Sequence, residues 1–104
     1  MSQLQTYIYM IRATRPDFSP EAMTPLEKQL MGEHWVYLQE FFATGRLLLT
    51  GPCTDGAFGI SIFEAESLEE ARQIAANDPS VKGGIMSMEV HQYRVSLQRK
   101  TPAE

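Results

Sequence analysis

Three residues of this chain have side chains suited to moving protons: His34, Asp55 and Asp78. Imidazole exchanges a proton near neutral pH, and a carboxylate that binds one ring nitrogen fixes the tautomer and orientation of the ring. His34 beside either aspartate would therefore form an acid–base pair. Sequence alone does not give the distance from His34 to either carboxylate, so both aspartates are candidates for its partner. We predict that these three are the catalytic residues.

His34 is distinctive because it falls on the apolar face of a predicted helix. The sequence Thr24-Pro25-Leu26-Glu27 forms a capping box and Gly45 is a typical helix end, so residues 24–45 predict one long helix. Burying an imidazole there is unfavourable unless its nitrogens have partners. His34 is therefore either a core histidine with a structural partner or the floor of a site. The predicted inward face consists of Leu26, Leu30, Met31, His34, Leu38, Phe41 and Phe42.

Both aspartates also have local explanations. Asp55 lies in the Gly/Pro-rich turn of residues 51–56, where Asp-Gly is common in any hairpin. Asp78 precedes Pro79 at the end of a second predicted helix, and it can bond nearby amide groups there. Neither aspartate is excluded as the partner of His34.

Substrate contacts are predicted at Arg12, Arg15 and Phe18. Arg12 ends the first strand and Arg15 lies in the loop of residues 13–23, where either guanidinium could hold an anionic group. The alternative for both is a solvated arginine. This loop is longer than a plain connection, which is typical of lids and binding loops. It could equally cover a sheet edge, with Phe18 packing back as an anchor.

Composition excludes several partner classes. The net charge is −4 and no cluster of Lys or Arg occurs, so nucleic acid and anionic membranes are not expected partners. No apolar run approaches the roughly 20 residues of a membrane span. The first residues lack a signal-peptide pattern and Cys53 is the only cysteine, so we expect a cytoplasmic protein. Cys53, His34 and His91 lack metal-ligand spacing, and neither a metal nor another cofactor is expected.

The predicted elements alternate as strand, helix, strand, strand, helix, strand. This order is typical of an α+β ferredoxin-like plate, with an antiparallel sheet and both helices on one face. We predict a single domain over residues 1–97 and a polar tail over 98–104. A change in the apolar phase of the last strand predicts a bulge or an edge crossing there. The strands are predicted at residues 4–11, 46–50, 57–64 and 85–97, and a capping box at Ser67-Leu68-Glu69-Glu70 opens the second helix, which Asp78-Pro79 ends.

One face of this sheet would be left without a helix, although its strands are apolar on both sides. An exposed apolar face on a globular protein is normally an interface. We therefore predict a homodimer in which two sheets pack face to face, with Tyr7, Tyr9 and Tyr93 filling its core. A monomer that hides the face under residues 98–104 is the alternative, but that segment is short and polar.

Several segments occur in a characteristic order and spacing: Arg15-Pro16-Asp17-Phe18, Met23-Thr24-Pro25, His34, Gly45-Arg46-Leu47, Gly51-Pro52, Asp55-Gly56-Ala57-Phe58-Gly59, Ser67-Leu68-Glu69-Glu70-Ala71 and Asp78-Pro79. In these segments the chain resembles the YCII-related proteins over most of its length. The resemblance implies a dimeric α+β barrel, and it implies that the helix histidine and the loop aspartates line an active site.

The leading hypothesis is a cofactor-independent lyase or isomerase in which His34 is the general acid/base and Asp55 or Asp78 orients it. Its ligand would be a small molecule such as a hydroxylated aromatic compound or a carboxylic acid. A metabolite-binding or regulatory module with the same pocket and no chemistry is the alternative. In the third hypothesis His34 has only a structural role.

Overall fold

A computed structural model describes residues 3–100 and contains the predicted order of strands and helices. The elements are β1 (Gln5–Ala13), a 3₁₀ turn (Pro20–Ala22), α1 (Pro25–Ala43), β2 (Leu47–Pro52), β3 (Gly59–Ala65), α2 (Leu68–Ala76), α3 (Pro79–Lys82) and β4 (Met86–Gln92). The short helix α3 was not predicted. The sheet order is β2-β3-β1-β4 with antiparallel neighbours throughout, so the ferredoxin-like α+β fold is confirmed.

The start of α1 is a complete capping box. The Thr24 hydroxyl accepts the Glu27 amide at 3.1 Å, and the Glu27 carboxylate accepts the Thr24 amide at 2.8 Å. The second predicted capping box is only half formed. The Ser67 hydroxyl accepts the Glu70 amide, but the Glu70 carboxylate accepts the amide of Glu66 instead of that of Ser67.

The core lies between the two long helices and one face of the sheet. Tyr9 and Phe41 both pack edge-on against Phe63, with ring centroids 5.6 and 5.7 Å apart. The prediction that Tyr7 and Tyr9 fill a dimer core is wrong, because both rings point towards the helices. The buried apolar residues of this core are Tyr7, Tyr9, Ile11, Leu38, Leu47, Phe63, Ala65, Ala71, Ala75 and Met86.

The predicted inward face of α1 is wrong at both ends. Leu26 and Phe42 are 57% and 64% exposed, whereas Glu27 is 6% exposed. Phe41 takes the inward position against Phe63, so Phe42, about 100° further round the helix, points to solvent. At the start of α1, the preceding loop contacts Glu27, and Leu26 points to solvent.

The last strand is shorter than predicted and has no bulge. Its register with β1 runs without a shift from Tyr7–Gln92 to Ala13–Met86. In this register Gln5, the first residue of β1, lies opposite Arg94, so the residues after Arg94 have no strand to pair with. The change of apolar phase marks the region where the chain leaves the sheet. The one register shift in the described sheet lies in β2, between Leu47 and Leu49.

Residues 93–100 have no regular structure, and those from 98 to 100 are exposed. The rest of the predicted polar tail, 101–104, and the first two residues of the predicted domain lie outside the described residues. None of the described helices is long and apolar enough to cross a membrane.

Close packing between α1 and the end of α3 positions the candidate site. Substitution of Gly83, which lies at this contact, tests the packing. A Cβ atom on Gly83 would lie 2.6 Å from Leu30 Cδ1 and 2.9 Å from the Pro79 carbonyl oxygen. We expect Gly83→Ala to lower the free energy of unfolding by about 1–3 kcal/mol in urea titrations, because the added methyl overpacks this contact. Gly32→Ala in α1 has nothing within 4 Å of its new methyl group and should stabilise by about 0.5–1 kcal/mol. Equal stability of Gly83→Ala and wild type would contradict this packing.

Candidate functional site

His34 on α1 is hydrogen-bonded to Asp78, which immediately precedes α3. The Nδ1 atom of His34 lies 2.8 Å from Oδ2 and 2.9 Å from Oδ1 of Asp78. The two side chains are 13% and 0% exposed. An ionised carboxylate only accepts hydrogen bonds, so Nδ1 must carry the proton. Of the two aspartates that the sequence left open as partners, Asp78 is the one that contacts His34.

The Asp78 carboxylate accepts hydrogen bonds from three residues. Besides the imidazole, Oδ1 accepts the Ser80 amide at 2.9 Å and the Ser80 hydroxyl at 2.8 Å, while Oδ2 accepts the Tyr9 hydroxyl at 2.9 Å. Burial disfavours the charged carboxylate, but hydrogen bonds and charge from His34, with the bonds from Ser80, outweigh it and hold the pKa of Asp78 below its ordinary value. Asp78 is therefore an anion at neutral pH.

Two tyrosines whose pKa values the charge of Asp78 raises remain neutral. Burial, the charge of Asp78 and its hydrogen bond raise the pKa of Tyr9 far above the ordinary value. Burial and, after it, the charge of Asp78 raise the pKa of Tyr37 to about 12. The Tyr37 hydroxyl donates to the Ile74 carbonyl at 2.6 Å. Both phenols remain protonated at neutral pH, so His34 is the group beside Asp78 that can accept a proton.

A cleft of about 910 Å³ opens between α1, the β1–α1 loop and the turn that joins β2 to β3. His34 lines it, while Asp78 lies behind the histidine and does not. Within residues 3–100 no group hydrogen-bonds Nε2, so this nitrogen is left for the cleft. Most of the remaining wall is apolar and includes Phe18, Met31, Trp35, Leu38, Phe58 and Met86.

Asp55 lines the same cleft from the hairpin turn but does not contact His34. Its Oδ1 atom accepts the Ala57 amide at 2.9 Å, and the residue is exposed. This is the local turn role that Asp-Gly commonly has. The catalytic role of Asp55 remains a prediction without a supporting contact.

The two candidate arginines lie outside the cleft, each bound to a glutamate. Arg12 donates to Glu89 at 2.9 Å. Arg15 donates to both carboxylate oxygens of Glu27 at 2.8 Å, and these hydrogen bonds lower the pKa of Glu27 to about 2. Phe18 lines the cleft and also packs on the core. Its contact with a substrate remains a prediction.

Sequence reasoning missed Tyr9, Ser80 and Glu27. Tyr9 is the most informative of them, because its place on the inward face of β1 was visible in the alternation of Tyr7, Tyr9 and Ile11. A phenol on an inward face needs a partner for its hydroxyl, and this requirement pointed to a buried acceptor. Among residues 3–100, no group of three or more His, Cys, Asp or Glu side chains is placed to hold a metal ion.

Comparisons with known proteins agree with this fold. The model of the YCII-related domain matches residues 7–94. The uncharacterized protein YjpA of Bacillus subtilis (strain 168) is 34% identical over 62 residues, which cover 60% of this chain and 73% of YjpA. A similar solved structure is the 5-chloro-2-hydroxyhydroquinone dehydrochlorinase of Burkholderia phenoliruptrix AC1100 in complex with 2,5-dihydroxybenzoquinone. Its TM-score is 0.63 at 23% identity, over 85% of this chain and 93% of that one.

Proposed function

The chain belongs to the YCII-related family, and we propose that it is a cofactor-independent lyase or isomerase acting on a small molecule, with His34 as general acid/base and Asp78 as its partner. The observation that supports this most strongly is the asymmetry of the histidine. Its Nδ1 is held by a buried anion, whereas Nε2 has no partner among the described residues, and the histidine lines the cleft. A purely structural core histidine would be expected to have both nitrogens satisfied.

The proposed step uses this asymmetry. With the proton on Nδ1, the lone pair of Nε2 takes a proton from an O–H or C–H group of the ligand. The imidazolium that forms is stabilised by the negative charge of Asp78. In an isomerisation the proton returns to a different atom of the same ligand. In an elimination the bond to a leaving group breaks, and that group departs with the electron pair.

Aromatic hydroxy compounds are the first ligands to test, because the dehydrochlorinase with the same fold binds 2,5-dihydroxybenzoquinone. Small hydroxylated aromatic compounds and carboxylic acids should be screened by thermal shift against wild type and His34→Gln. A true ligand at about ten times its Kd is expected to raise the melting temperature of wild type by several degrees and that of His34→Gln much less. His91→Gln is the matched control, because this histidine is exposed on β4. Equal shifts in wild type and His34→Gln would contradict the proposed site.

We also propose that a second copy of the chain covers the open face of the sheet. The side chains on this face are apolar along the central strands, where Ile8 lies opposite Ile62 and Met10 opposite Ile60. Both long helices pack on the other face, and burying apolar area of this kind drives association.

Light scattering after gel filtration tests the homodimer. The measured mass of wild type is expected to be twice the chain mass of 11.8 kDa. The mass of Met10→Glu should equal that of one chain, because a carboxylate in an apolar interface loses its water without gaining a partner. Leu97→Glu, at a side chain that is 97% exposed, should leave the mass unchanged. A wild-type mass of one chain would contradict the homodimer.

A further inference from the structure

Two hydroxyl groups form a second polar feature of the cleft, separate from His34. Thr50 on β2 and Ser61 on β3 are cross-strand partners, and their oxygens lie 2.8 Å apart. Both residues line the cleft. Ser61 is 2% exposed, whereas Thr50 is exposed and is therefore the one that a ligand can reach.

The proton of the Thr50 hydroxyl group is used inside the protein. In one arrangement Thr50 donates to the Ile60 carbonyl, 3.0 Å away, and Ser61 donates to Thr50. In the other, Thr50 donates to Ser61, 2.8 Å away. A hydroxyl group has one proton and two lone pairs. In either arrangement the Thr50 oxygen keeps a lone pair and has no proton to offer a ligand.

We propose that Thr50 is a specificity residue that accepts a hydrogen bond from a hydroxyl group of the ligand, and that Ser61 is the positioning residue that orients it. This inference rests on the proposed function, because the same ligand would donate to Thr50 at one end and to Nε2 of His34 at the other. Two acceptors at separate points of one apolar cleft select a molecule with two donor groups.

The charges around the cleft define the ligand further. The carboxylates of Glu21 and Asp55 line it, and no arginine or lysine of residues 3–100 does so. These carboxylates repel anions, and the nearby arginines are already paired with Glu89 and Glu27. The ligand class is therefore a neutral dihydroxylated compound with an apolar or aromatic body, in preference to a carboxylic acid.

Binding of hydroquinone and of 4-methoxyphenol, measured by calorimetry, tests this inference. The second probe has one donor group fewer. Wild type should prefer hydroquinone by about five- to tenfold, the effect of one neutral hydrogen bond. Thr50→Val keeps the shape and strand propensity of the side chain but loses its oxygen, and we expect the preference to vanish. Ser61→Ala should reduce the preference. Ser87→Ala, which removes a hydroxyl group on β4 outside the cleft, should preserve it.

Persistence of the preference in Thr50→Val, equal binding of both probes by wild type, or no hydroquinone binding by wild type would each overturn the inference. If hydroquinone binding is lost in His34→Gln while Thr50→Val keeps the preference, the proposed function stands and this inference alone fails. If Thr50→Val loses the preference while His34→Gln binds hydroquinone as wild type does, Thr50 is upheld and the role of His34 fails.

Discussion

Asp78→Ala is expected to lower the free energy of unfolding by about 3–5 kcal/mol, a large share of the stability of a domain of this size. The reason lies in the donors that converge on the carboxylate. Its loss leaves the Tyr9 hydroxyl, the Ser80 amide and the Ser80 hydroxyl without their acceptor in a buried place. Each unsatisfied group costs about 1–3 kcal/mol. Urea titration at neutral pH measures the change.

Asp55→Ala is the matched control, because it removes the other candidate aspartate. Asp55 is exposed and bonds only the nearby Ala57 amide among the described residues. Its replacement should change stability by less than about 1 kcal/mol. Similar losses in the two variants would contradict the assignment of Asp78 as the buried anion of the site.

Acid should remove the contribution of Asp78. The pKa of its carboxyl group is lower in the folded protein than its ordinary value of 3.8, so the stabilisation is fully present above that value and is lost as the pH falls through the folded pKa. The stability difference between wild type and Asp78→Ala should therefore shrink as the pH falls below about 4. A difference that stays constant or grows from pH 4 to about pH 2 would contradict an ionised Asp78.

His34→Gln is expected to lower kcat for a ligand that wild type converts by about 10²–10⁴-fold, the usual contribution of a general acid/base. Glutamine can donate to Asp78 through its amide group, so the protein should remain folded, but glutamine cannot take a proton. The Kd of the ligand should rise by no more than about tenfold, because most of the cleft wall is unchanged. Single-turnover kinetics and calorimetry separate the two quantities.

The outcome of this experiment also separates the enzyme from its alternative. A binding or regulatory module would bind the same ligand in wild type without forming any product. A His34→Gln protein that turns over as fast as wild type would contradict the role of His34 as base. His91→Gln should match wild type in both measurements, since its side chain is 61% exposed and contacts Glu89.

The sequence predicted those parts of the site that depend on local patterns. The spacing of apolar residues placed His34 on the inward part of α1, and the capping box and Gly45 located the ends of that helix to within two residues. The order of strands and helices along the chain was sufficient to predict the fold. Each of these inferences uses side chains only a few positions apart, where helix geometry relates them directly.

The pairing of His34 with Asp78 could not be predicted, because it joins side chains 44 positions apart. The contact depends on how α3 packs against α1 at Gly83 and Leu30, and on a short helix that the sequence did not reveal. The same limit applies to the pair of Arg15 and Glu27. Glu27 was interpreted as a helix cap, which it is, but its second partner comes from the loop.

In the proposed mechanism Asp78 holds the proton of neutral His34 on Nδ1 and leaves Nε2 as the base. Long-range ¹H–¹⁵N NMR correlations of the imidazole rings measure this directly, and the two histidines of the chain are distinguished with His91→Gln. We predict the Nδ1–H tautomer for neutral His34 in wild type. In Asp78→Asn the amide can donate to Nδ1, and the proton should move to Nε2. An Nε2–H tautomer in wild type would contradict the account, because His34 would then have no lone pair to offer the cleft.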